Sequence, residues 1–124
     1  MRNFIRLIVC VAAIGIHSQY AFAQRPYQGS LSTLLSAPAD GALRSSKTSY
    51  DLEVCIADVV AVLGSPVALR QGANNVVIAS GYPAGLFGAA VTLTPVPGGT
   101  SIEARFIAKN STKAKLLDRM RTCL

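Results

Sequence analysis

Between Thr48 and Gly64 the apolar residues recur at helical spacing. Leu52, Cys55, Ile56, Val59 and Leu63 stand at i, i+3, i+4, i+7 and i+11, one stripe along a helix of 3.6 residues per turn. Val60 and Val62 widen that stripe. Thr48 or Ser49 offers a side-chain oxygen to the unbonded N–H groups of the first turn, and Asp51 and Glu53 set negative charge against the positive end of the helix dipole. Gly64 supplies a left-handed stop and Pro66 keeps the helix from resuming.

Beyond Pro66 the period shortens to that of strands. Val67–Gln71 and Val76–Ala79 flank the turn residues Gly72-Ala73-Asn74-Asn75. Gly81-Tyr82-Pro83-Ala84-Gly85 breaks the chain again. A third strand runs from about Phe87 to Thr94, with Val91 and Leu93 on one side and Thr92 and Thr94 on the other. Pro95-Val96-Pro97-Gly98-Gly99 makes the next turn. From Thr100 to Ala108 the alternation is clean: Ile102, Ala104 and Phe106 against Glu103 and Arg105. Short turns join these strands, so an antiparallel meander with one wet face is expected. A second helix is expected from about Ser111 to the end of the chain, capped by Asn110, Ser111 or Thr112. It gathers Leu116, Leu117, Met120, Cys123 and Leu124 on one arc.

The chain before Thr48 reads differently. Arg2 and Arg6, the uncharged run Leu7 to Ile16 and the small-x-small Ala21-Phe22-Ala23 have the form of a secretory signal peptide, residues 1–23, cleaved between Ala23 and Gln24. The apolar run is short of the roughly 20 residues a membrane-spanning helix needs. Val9 stands where a lipobox wants a small residue, so Cys10 is not read as a lipidation site. Residues 24–47 read as a flexible leader, in which Leu31, Leu34 and Leu35 make at most one helical turn. A single domain, residues 48–124, follows.

Cleavage changes the composition that matters. Of 12 basic residues against 6 acidic ones, Arg2 and Arg6 leave with the signal, so the mature net charge falls from +6 to +4. Cys10 and His17 leave too, so Cys55 and Cys123 are the two cysteines that remain. A pair in an oxidising compartment, without CxxC spacing or an activating histidine, reads as a structural disulfide. Cys55 lies at the edge of the first helix's apolar arc and Cys123 at the edge of the second's, so a bond between them and side-by-side helices predict the same packing. The expected fold is α+β: helix, antiparallel meander of three to four strands, helix, with both helices on one face of the sheet and a disulfide between them.

This composition is poor in catalytic residue types. With no mature histidine, the commonest general base and the usual activator of serine or cysteine nucleophiles are missing. The six carboxylates are dispersed, no metal-ligand spacing occurs, and the glycines form no phosphate-binding motif, so no catalytic residue, metal or cofactor is assigned. The polar signal is the basic run Lys109, Lys113, Lys115, Arg119 and Arg121, joined by Tyr82 and Phe87 in an aromatic loop. These are the candidate partner-binding residues. The element order, with Lys109 to Lys115 opening the last helix, is loosely similar to the double-stranded-RNA-binding domain. The fourth strand, the lack of that family's histidine loop and the export signal set the chain apart, and no family or nucleic-acid partner is assigned.

The sequence therefore implies a small exported, non-catalytic interaction module, periplasmic or secreted, without a membrane span or lipid in its mature form. Its partner would be a protein of the bacterial envelope or an anionic envelope polymer. The alternative is a small-ligand binder with an apolar pocket between the first helix and the sheet.

Overall fold

The structure, a computed structural model, describes residues 29–72, 74–82 and 85–124, with the backbone alone at Tyr82. The stretch read as a signal peptide, residues 1–23, and the cleavage expected between Ala23 and Gln24 lie outside the described residues. In chain order the elements are α1 (Leu31–Ser36), β1 (Gly41–Ser45), α2 (Ser49–Val60) with a 3-10 turn at Ala61–Leu63, β2 (Ser65–Gln71), β3 (Asn75–Tyr82), β4 (Leu86–Val96), β5 (Gly99–Phe106) and α3 (Asn110–Arg121). The fold is α+β, and the five strands of the described residues form one antiparallel sheet in the order β1-β5-β4-β3-β2.

α2 forms where the apolar stripe predicts. Thr48 caps it: its hydroxyl accepts from Asp51 N–H, and the Asp51 carboxylate reaches back to Thr48 N–H, two otherwise unbonded donors satisfied by one pair of side chains. Gly64 ends the element at φ 136°, ψ 178°, outside the left-handed helical region that the sequence suggested and in one that glycine alone occupies comfortably. A Cβ there would stand 2.7 Å from the Gly81 carbonyl oxygen, so the helix–strand corner closes on backbone.

One face of the sheet carries the main core. Leu52, Ile56, Val59 and Val60 of α2, and Leu116 and Met120 of α3, are buried against Val76, Ile78, Val91, Leu93, Ile102 and Ala104. Each large aliphatic side chain so enclosed contributes about 2 kcal/mol relative to exposure. At one edge of this core Cys55 and Cys123 form a disulfide, Cα–Cα 5.8 Å, closing a separation of 68 residues. Lys47 Nζ donates to the Cys123 carbonyl at 2.6 Å, fastening the end of α3 to the β1–α2 loop.

The expectation of three or four strands is corrected by β1, which comes from the stretch read as a flexible leader. Gly41–Ser45 pairs with Thr100–Ala104 of β5 along its whole length. α1 is a further helix, and it lies on the other face. There Leu34, Val77, Ala79 and Ala90 form a second buried cluster, bordered by Leu31, Leu35, Phe87 and Ile107, so that face is partly dry rather than wet. Ser30 caps α1 by accepting from Thr33 N–H. A six-residue helix has too few internal hydrogen bonds to persist alone, and Leu34 anchors it.

Several boundaries also move. β4 continues through Pro95, read from sequence as a turn. Its pairing with β3 ends at Leu93↔Val76, while pairing with β5 runs on to Val96↔Gly99, so proline's missing N–H costs no ladder bond on the vacated side. α3 stops at Arg121 and begins after Lys109, which occupies the cap position without a side-chain hydrogen bond, instead of after Asn110, Ser111 or Thr112.

Candidate interaction surface

Because α2 turns Leu52, Ile56, Val59 and Val60 inward, the residues a turn apart on its outer side, Tyr50 and Val54, are left to solvent, 79% and 81% exposed. Val62 was expected to widen the buried stripe. The backbone tightens into the 3-10 turn at Ala61, rotating Val62 outward to 58% exposure. Val67, 42% exposed, lies on β2. These are the large apolar side chains exposed among the described residues, and all four fall on the one stretch α2–β2. Val54 and Ala57 border a groove of about 170 Å³ with Pro66, Ala68 and Ile78.

β2 is an edge strand. Among the described residues it pairs with β3 alone, and its outer backbone groups meet no other strand. Its single charge, Arg70, grips Glu53 of α2 through both terminal guanidinium nitrogens, which donate to the two carboxylate oxygens at 2.6 and 3.1 Å, a bidentate geometry that also fixes side-chain direction. Beside this pair a cleft of about 470 Å³ opens at the start of α2, between Thr48, Tyr50, Glu53, Arg70, Asn74 and Thr100.

The basic residues singled out from sequence do not come together as one field. Lys113 is 2.8 Å from Asp40, Arg119 is 3.5 Å from Asp58, and Arg121 pairs with Asp118. Lys109, at the cap of α3, and Lys115 are exposed and have no acidic partner among the described residues. Phe87 is half-buried in the cluster around Leu34, and its backbone exchanges hydrogen bonds with Gly29 at 2.7 and 3.0 Å. Of Tyr82 the structure describes the backbone only.

No family model, curated protein or solved structure matches the chain.

The carboxylates are each engaged: Asp51 in the α2 cap, Glu53 with Arg70, Asp58 with Arg119, Glu103 with Arg105, Asp118 with Arg121, and Asp40 with Lys113 and the Phe106 N–H. Among the described residues no three His, Cys, Asp or Glu side chains converge as a metal site, and no helix is long and apolar enough to cross a membrane. Buried side chains of α2 and the sheet pack against one another, and the grooves at the start of α2 and along β2 open beside that contact.

Sequence reasoning missed the α2–β2 surface because it followed the buried stripe. The signal was its complement: Tyr50 and Val54 are apolar, four residues apart, and off the stripe, a second apolar line with no use in the core.

Proposed function

We propose that this chain is a small exported interaction module of the bacterial envelope, an accessory, inhibitor or assembly protein that works by surface complementarity and not by bond-making chemistry. The observation that carries this reading is the gathering of the exposed Tyr50, Val54, Val62 and Val67 on α2, the turn after it and β2, the strand at an open edge of the sheet among the described residues. Exposed apolar residues scattered singly mean little, but grouped along an open edge they mark contact surfaces. The disulfide supports export, since such bonds persist outside the reducing cytoplasm. It also ties α2, which carries half of those residues, to the end of α3.

The basic-helix version of the same function is weaker. Three of its five cations are already satisfied within the chain, and exposed lysines at Lys109 and Lys115 serve equally as a solvated face. Photocrosslinking residues placed one at a time at Tyr50, Val54, Val67, Lys109 and Lys115 in the exported chain test the choice. Specific adducts confined to the first three positions are expected. Adducts confined to Lys109 and Lys115 overturn the reading in favour of the basic helix, and a chain recovered only with its first 23 residues attached, in the cytoplasm, overturns export.

A further inference from the structure

We propose that the β2 edge is the interface of a two-fold dimer, formed by antiparallel pairing of β2 with β2 of a second copy of this chain. The inference rests on the interaction reading above and names its partner.

Among the described residues the sheet has two open edges, and they differ in charge. β1 presents exposed Arg44, with Lys47 just beyond its end, so a second β1 would bring like charges face to face. On β2 the one cation is neutralised within the chain by Glu53. Two copies therefore meet there without unbalanced charge, while the exposed cations Arg44, Lys109 and Lys115 stay on β1 and α3. Of the two edges, β2 is the one compatible with a copy of itself.

The strand's own sequence sets the register. Pro66 sits inside β2 opposite Ser80, and a strand proline is accommodated when its nitrogen faces away from the neighbouring strand. That phase turns the backbone groups of Pro66, Ala68 and Arg70 outward. A two-fold axis through Ala68 then sets Ala68 opposite Ala68 of the second copy, with reciprocal N–H···O=C bonds between them. Arg70 N–H meets the Pro66 carbonyl of the other chain, so the missing N–H falls where the pairing ends.

The side chains agree with this register. Val67 and Leu69 share the face of Ala79 and Val77, their partners on β3. The two-fold sets Val67 of each copy opposite Leu69 of the other, covering the exposed Val67 with apolar surface. On the opposite face the groove bordered by Val54, Ala57, Pro66 and Ala68 meets its own copy. The contact is isologous, and its main-chain bonds are those of strand addition.

Sedimentation of the purified, oxidised chain over a concentration series should show a reversible monomer–dimer equilibrium. Ala68→Pro removes an outward N–H that no bond within the chain uses, and Val67→Lys places a cation in the apolar pair. Each should weaken the dimer about tenfold or more, and circular dichroism monitors the fold of both variants. Under oxidation, Ala68→Cys should cross-link across the axis, and Gln71→Cys, away from it, should not. A chain monomeric at every concentration overturns the dimer. If that monomer still forms specific adducts to another protein through Val54 or Val67, the interaction reading survives alone. A dimer indifferent to both folded substitutions overturns this interface, and cross-linking at position 71 in preference to 68 overturns the register.

Discussion

The Asp40 carboxylate holds the Lys113 ammonium at 2.8 Å with one oxygen and accepts the Phe106 N–H at 2.7 Å with the other. Asp40 N–H donates to the Ala104 carbonyl at 2.8 Å as well. One residue before β1 thus ties the early chain to β5 and to the first turn of α3, which carries no acidic residue of its own.

Asp40→Ala should therefore cost more than an exposed ion pair. It leaves the partly buried Phe106 N–H without its acceptor, a loss of about 1–3 kcal/mol. Lys113→Met removes only the ionic partner and should cost about 1 kcal/mol or less. Urea unfolding of both variants checks the difference, and equal losses contradict this division of labour.

Cys55→Ser with Cys123→Ser should lower stability by about 2–4 kcal/mol, chiefly through the freedom returned to an unfolded chain no longer closed over 68 residues. The drop should appear in wild-type protein when reductant is added and be absent in the double variant. Two thiols alkylated in the unreduced, denatured wild type would show that the bond does not form.

Leu34→Ala tests whether the stretch before β1 belongs to the domain. Leu34 is 3% exposed, under the second cluster with Val77, Ala79 and Ala90, so truncation should cost about 2–4 kcal/mol by lost burial and a residual cavity. A leader with no packing role would give no change in the thermal midpoint.

Gly64→Ala should destabilise by about 1–3 kcal/mol, since the backbone conformation disfavours any side chain and the new methyl would meet the Gly81 carbonyl. Thr48→Ala should cost about 1 kcal/mol through loss of the α2 cap. Thermal denaturation ranks the two, and an unchanged midpoint in either variant contradicts the corresponding local geometry.

The elements that carry their own periodicity were legible without the structure. Leu52, Ile56 and Val59 define α2, Leu116 and Met120 define α3, and the alternation from Ile102 to Phe106 defines β5. The cysteine pair was read on the expectation that Cys10 leaves with a signal peptide, and the bond between Cys55 and Cys123 is present. The candidate surface was not legible, because exposure is a relation between residues: Tyr50 and Val54 become a surface only once β2 is known to be the edge beside them.

What the sequence alone determined is thus local: from Thr48 onward, which segments form helices and strands and which side of α2, α3 and β5 seeks the core. The tertiary structure decided where the early chain goes. Gly41–Ser45 has too few residues and too little apolar content to declare itself a strand, and it becomes one because β5 offers it a row of unpaired backbone groups. That edge exists only after the meander has formed, so no pattern within residues 41–45 announces it. The same holds for β2, whose open side follows from strand order and not from its own residues.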